Sequence, residues 1–325
     1  MIHIYFKPLP LKDRYFFGDR YLIPFLKKLM KGKRVSGIEK VFINLCKSFD
    51  QMGIAYKKNQ KFRSLKAEDK VIVLGIGKDI LNAYQQPNQI IAGIALVSHP
   101  SEWTTMLEDY PIAKYLQHSA WAEAIYISYY GQKVCDVWFA GIETEKWKPP
   151  VNENKAFDFL IYNKIKSKYD ADLLMPIKNQ LEAQGYTFKE IIYGHYKEKE
   201  YFNLLSDCKA MIYLSEHESQ GFAYQEAMSM NVPILAWNQG YWLDPNLGKW
   251  NNNMPIPASS VPYFNAYCGE TFVDFAAFKD KLPLFLSRMV GGKYQPRQYV
   301  IENLSLAKSA KRMLQIIDEV YETEV

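Results

Sequence analysis

Glu218 and Glu226 stand eight positions apart in SEHESQGFAYQEAMSMNVPILAW (residues 215 to 237), with Gly221 between them and the apolar run Pro233 to Trp237 after them. AMIYLS (210 to 215) is continuously apolar, as a buried strand is, so EHESQGF is its carboxyl-end loop and AYQEAMSM (223 to 230) the following helix. Glycine in that loop lets the backbone come close to a ligand. The first amides of the helix, around Phe222 and Ala223, have no intrahelical partners, and with the positive helix end they suit a phosphate. Glu218 precedes that site and is repelled by phosphate, so a sugar hydroxyl is its better partner. Glu226, one turn into the helix, can accept two hydrogen bonds from a vicinal diol such as a ribose. Asn231 suits a left-handed cap. A phosphate flanked by two diol-reading carboxylates is the chemistry of a nucleotide-sugar.

Such a loop needs a parallel sheet behind it, and the chain supplies two. IHIYF (2 to 6), VIVLGIG (71 to 77), IIAGIALV (90 to 97) and KVCDVWF (133 to 139) read as strands. SGIEKVFINLCKSFDQMG (36 to 53) is a helix with a Ser36/Glu39 capping box and Gly53 as its stop, and 118 to 131 is another. After the polar EKWKPPVNENK (145 to 155) the alternation restarts. Strands at 157 to 162, 190 to 194, 210 to 215 and 233 to 237 alternate with helices at 170 to 184, 201 to 208 and 223 to 230. This pattern predicts two doubly wound α/β domains, 1–150 and 151–303, with a terminal helix in 304–325 packing back on the first. Ligands of such sheets sit at the carboxyl ends of the strands.

Composition bounds the class. The chain has 325 residues, 48% apolar and 23% charged, the balance of a soluble globular protein. No apolar run reaches the roughly 18 residues of a membrane span, and the start lacks a signal-peptide core, so the expected location is cytoplasmic. Cys46, Cys135, Cys208 and Cys268 form no CxxC pair, which argues against a metal knuckle or a disulfide framework. Residues 1 to 40 hold ten Lys or Arg against three Asp or Glu, a surplus of +7 in a chain of net charge +5. Within them, residues 20 to 34 form a basic amphipathic helix suited to peripheral contact with an anionic membrane or to an anionic acceptor, or one simply docked on its own domain.

Glu218-x7-Glu226 with EAMSMNVPILAW resembles the E-x7-E block of retaining glycosyltransferases of the GT-B fold, the large glycosyltransferase family 4. SGIEKVFINLCKSFDQMG is similar to the family's G-G-I-E-R-V helix. QHSAWAEAIYISYYGQKVCDVWFAGIETEKWKPP resembles its domain-junction pattern, and LIYNKIKSKYDADLL its G-R-x-x-x-K-G-x-x-L-L stretch. The resemblance implies two Rossmann-like domains facing a cleft and transfer of a sugar from a nucleotide-diphosphate-sugar to a glycan, lipid-linked or other acceptor, with retention and without a metal or other cofactor. By it, Glu226 holds the donor ribose and Glu218 the transferred sugar. Lys164 and Lys168 neutralise the diphosphate, helped by the amides of Gly221, Phe222 and Ala223. Gly37 approaches the phosphates from the first domain, and His99 contacts the sugar.

The chain departs from the pattern at Gln220, where the family has an aromatic residue, at Asn231 and Ser36, where it has glycine, and in a short Lys164–Lys168 spacer that makes Lys166 a rival. Three other readings use the same fold, among them a sugar-nucleotide epimerase, which would release free sugar isomers without any acceptor. A nucleic-acid-modifying glucosyltransferase has only the basic first 40 residues in its favour, so nucleic acid is not the expected partner. A degenerate member would bind nucleotide-sugar without turnover. Asp170-Ala171-Asp172 spells a metal motif, but at a helix start the two acids do not share a face. Trp103, Tyr241 and Trp242 fall in loops where a sugar could stack.

Overall fold

The computed structural model describes residues 1–7, 35–151, 154–165, 169–242, 250 and 254–322. The basic segment 20–34, Lys166 and Lys168 lie outside them. The chain divides into two compact units. One comprises 1–117, 125–138 and 310–325, and the other 118–124 and 139–309.

The first unit carries six parallel strands: β1 (Ile2–Lys7), β2 (Tyr56–Lys58), β3 (Lys70–Gly75), β4 (Ile90–Gly93), β5 (Ile112–Gln117) and β6 (Cys135–Val137). Their spatial order is β2-β1-β3-β4-β5-β6. The order reverses between β1 and β3, which is where a ligand crevice opens in such sheets. Helix α1 (Gly37–Gln51) begins as the sequence predicts, with Ser36 Oγ accepting the Glu39 amide at 3.1 Å. The apolar run 90–97 is shorter as a strand than it reads, because Gly93 and Ala95 take positive φ and turn the chain. β5 escapes the sequence reading, since Lys114 interrupts it, and that lysine faces Asp136 at 3.6 Å and Glu319 at 3.1 Å.

The second unit carries β7 (Phe157–Lys164), β8 (Phe188–Ile192), β9 (Cys208–Ser215), β10 (Ile234–Trp237) and β11 (Gly269–Phe272), again all parallel, in the order β11-β10-β9-β7-β8. Alternate residues of its central strands serve two cores. Tyr162, Met211 and Tyr213 meet Tyr201, Leu205, Tyr224 and Met228 on one face. Phe159, Ile161, Ile212 and Leu214 meet Leu173, Ile177, Leu181, Phe278 and Phe285 on the other. Helix α2 (Ala120–Tyr130) sends Tyr126 and Tyr130 into the core of the first unit, and the helices of the second unit are α3 (Met175–Ala183), α4 (Glu198–Asp207), α5 (Phe222–Ser229), α6 (Phe275–Val290) and α7 (Pro296–Asn303). The predicted helix at 170–184 opens as a π-helical turn over Asp170–Leu174. β11, α6 and α7 were not evident in the sequence.

The last helix, α8 (Leu306–Tyr321), belongs to the first unit from Ala310 onward. There Tyr321 Oη accepts the Val71 amide at 2.7 Å and donates to the Gln89 carbonyl. Arg312 pairs with Asp136.

Candidate functional site

The second sheet reverses its order between β7 and β9, and their register sets Lys164 opposite Ser215 and Tyr162 opposite Tyr213. All four side chains therefore share one face, and Lys164 and Ser215 end it at the carboxyl edge. Three residues beyond Ser215, the chain brings Glu218 back over that edge. Its Oε1 accepts from Lys164 Nζ at 2.6 Å, Tyr213 Oη at 2.7 Å and Ser215 Oγ at 2.8 Å. No donor among the described residues meets Oε2. The Glu218 backbone is held as well: its amide donates to Ser259 O at 2.9 Å, and its carbonyl accepts from Trp121 Nε1 at 3.0 Å.

Burial alone would raise the Glu218 carboxyl. The Lys164 charge, with the hydrogen bonds from Lys164, Tyr213 and Ser215, outweighs burial and holds it below its ordinary 4.5. Glu218 is thus a largely but not fully buried, ionised acceptor. Lys164 also lies 4.6 Å from the centre of the Tyr193 ring, which is 46% exposed just beyond β8.

Gly221 caps α5 at φ 85°, ψ 57°. A Cβ there would lie 2.1 Å from the Tyr224 ring, so the fold itself requires glycine at this position, whatever a ligand asks. Phe222 is half-buried against the core and Ala223 accepts Tyr201 Oη at 2.6 Å through its carbonyl. Glu226, 4% exposed, lies close enough to Tyr196 and Tyr201 that its charge adds to burial in raising both phenols. Asn231 takes φ 60°, the left-handed cap the sequence predicts.

Gln220 has a structural partner. Its amide bonds both backbone groups of Ala140, with Oε1 accepting the Ala140 amide at 2.9 Å and Nε2 donating to the Ala140 carbonyl at 2.5 Å. An aromatic side chain could not bridge a peptide in this way.

The remaining predicted residues sit elsewhere. Gly37 opens α1, where an added Cβ would meet nothing within 4 Å. His99 is 3% exposed and caps a short 3-10 turn, its Nδ1 bonded to Ser101 Oγ at 2.8 Å. Burial lowers the His99 pKa, with Glu102 acting against it. Trp103 corrects an expectation of stacking: it is 5% exposed, donates to Asp109 at 2.7 Å and has Lys78 over its ring at 4.8 Å, so its face is not open to a sugar. Trp242 is also buried, against Trp121, His217 and Trp250, whereas Tyr241 is exposed. Among the described residues, no three His, Cys, Asp or Glu side chains gather as a metal site would need.

Sequence reasoning missed Tyr213, Ser215, Tyr193 and Trp121. Alternation within β9 puts Tyr213 and Ser215 on one face, but only the strand register adds Lys164 to them.

No protein-family model matches the sequence. No curated protein matches it either. Solved structures do match in shape. The glycosyltransferase AviGT4 of avilamycin A biosynthesis superposes with a TM-score of 0.54 at 11% identity, over 99% of this chain and 98% of that one. The lipopolysaccharide outer core galactosyltransferase WaaB gives 0.52 at 13%, over 98% and 99%. The fold is GT-B. A variant of S. aureus TarM, solved with fondaparinux, alpha-GlcNAc-glycerol and UDP, superposes at 0.56 and 12% identity over 79% of this chain. This GT-B chain spans 57% of that TarM chain and 59% of the chain matched in a GtfA/B complex.

Proposed function

We propose that the protein is a glycosyltransferase that moves a sugar from a nucleotide-diphosphate-sugar to a glycan, lipid-linked or other acceptor, with retention and without a metal. The carrying observation is Glu218: an ionised carboxylate at the switch point of the second sheet, ligated on Oε1 by Lys164, Tyr213 and Ser215. In this reading Oε2 accepts a hydroxyl of the transferred sugar. Lys164, whose ammonium has three protons, bridges from Glu218 to the diphosphate and offsets the charge that develops on the leaving nucleotide. The α5 amides from Gly221 to Ala223 complete that cradle. Lys168 or Lys166 adds a second cation, and Glu226 holds the ribose. Gly37 and His99 act from the first unit.

The TarM variant was solved with UDP, which makes UDP-sugars the first donors to try. The basic residues 20–34 serve an anionic membrane surface or an anionic acceptor. Among the described residues no helix is long and apolar enough to cross a membrane.

The test is thermal-shift screening of wild type and Glu226→Ala against UDP, GDP, ADP, CMP and dTDP sugars without metal. One donor should stabilise wild type and leave the variant unmoved. If no donor shifts wild type, the donor-site reading fails. A donor that binds but is never hydrolysed or transferred would identify a degenerate member.

A further inference from the structure

The first unit contains a cavity of about 590 Å3 that the donor chemistry does not use. Its walls come from the carboxyl end of β1 (Tyr5 to Lys7), the turn after β2 (Asn59 to Arg63) and the segment after β3 (Ile80 and Ala83). That is the point where the strand order of this sheet reverses, the place where doubly wound sheets bind ligands. The volume suits a small molecule.

Its chemistry is specific. Lys7, Lys61 and Arg63 line it, and among the described residues no carboxylate does. Among the described residues none of the three cations has an anionic partner. Beside them stand aromatic surfaces, with the Phe62 ring 4.5 Å from that of Tyr5 and 5.0 Å from that of Tyr84. Tyr5 is 4% exposed, and its hydroxyl is buried with no partner among the described residues. The wall is also built in advance. Asn59, at φ 48°, accepts the Phe6 amide through Oδ1 at 2.8 Å and donates its own amide to Ile4 O at 3.0 Å, which ties the turn to β1.

Three cations with no anionic partner among the described residues match a dianion better than a single carboxylate, and aromatic rings match the C–H face of a sugar. We propose that this cavity binds a phosphorylated sugar, the anionic acceptor of the transfer reaction, with Lys7, Lys61 and Arg63 around the phosphate and Phe62 against the ring. The acceptor role rests on the glycosyltransferase reading above. The binding site does not.

The probe is glucose 6-phosphate, titrated calorimetrically into the full chain beside glucose and inorganic phosphate, at low and high salt. Wild type should bind glucose 6-phosphate at least about tenfold more tightly than either fragment, and high salt should weaken it. Lys61→Glu/Arg63→Glu should lose at least about tenfold in affinity, since each reversal turns an attraction into a repulsion. That variant should keep the wild-type melting transition and the donor-induced thermal shift, because neither residue belongs to the donor site. Equal affinity for inorganic phosphate would mean an adventitious ion only and overturn the proposal. Absence of glucose 6-phosphate binding, or binding indifferent to the double reversal, would overturn it as well. If glucose 6-phosphate binds as expected but no nucleotide-sugar shifts the protein, the glycosyltransferase reading fails and the acceptor role with it, while the sugar-phosphate site stands.

Discussion

Lys164 Nζ, at the end of β7, lies 2.6 Å from Oε1 of Glu218, in the loop after the adjacent strand β9 and 54 residues away in the chain. In the proposed donor site Lys164 would meet the diphosphate and Glu218 the sugar, and in the free protein these two side chains are joined to each other. With 19% and 11% of their side chains exposed, the pair is largely withdrawn from solvent. Breaking it by removing one partner leaves a desolvated charge behind.

Lys164→Met should therefore destabilise the protein by about 3 kcal/mol at pH 7. The Glu218 carboxyl is held below 4.5 in the folded state, so its contribution is fully present above pH 4.5 and is lost as the pH falls through the lower folded value. Urea denaturation at pH 7 and at successively lower pH should show the gap between wild type and variant narrowing in that window. A gap that stays constant would remove the ion pair from the account.

Tyr213→Phe removes one of the three donors to Oε1 without changing the volume of the side chain much. The expected cost is about 1.5 kcal/mol, the range for a hydrogen bond to a charged acceptor. The Glu218 carboxyl should also titrate higher, which nuclear magnetic resonance of labelled glutamate would detect. An unchanged Glu218 titration would show that Lys164 and Ser215 suffice to hold it.

Gly221→Ala combines a positive φ with a contact of 2.1 Å between the new methyl and the Tyr224 ring. Overpacking of this kind costs about 2 kcal/mol, and the backbone conformation adds to it. The melting temperature should fall even when no ligand is present. If only ligand affinity fell, the glycine would be there for the ligand and not for the fold.

Gln220→Leu keeps the bulk of the side chain but strands both backbone groups of Ala140 in the interior. We expect a loss of about 3 kcal/mol, from two buried groups left without partners. Donor-induced stabilisation should persist in the fraction that folds. Loss of donor binding from a fully stable Gln220→Leu protein would place Gln220 in the site instead.

Tyr321→Phe should cost about 1 to 2 kcal/mol, because it leaves the Val71 amide and the Gln89 carbonyl unpaired. Hydrogen exchange at Val71 is the direct readout. An amide as protected as in wild type would show that α8 does not secure β3 through this hydroxyl.

Local chemistry explains what could be read in advance. Near-continuous apolar runs marked β1, β3, β7, β9 and β10, because a strand enclosed on both faces is apolar at almost every position. Ser36 and Asn231 announced a helix start and a helix end, because capping depends on one side chain and one φ value. The loop that carries Glu218 and the helix after it were legible through the same local logic of strand, loop and helix.

What stayed hidden depends on residues far apart in sequence. β5 was missed because Lys114 breaks its apolar run, and that lysine makes sense only beside Asp136 and Glu319. Gln220 looked like a departure until Ala140, 80 residues away, supplied the backbone it bridges. The Trp121 indole reaches the Glu218 carbonyl across 97 residues. The sequence by itself determined two runs of strand and helix and the loop that carries Glu218, since propensity, periodicity and capping act over a few residues. Only the tertiary structure decided that Lys164, Tyr213 and Ser215 converge on that carboxylate, because strand register is settled by the packing of whole sheets and no short stretch of chain encodes it.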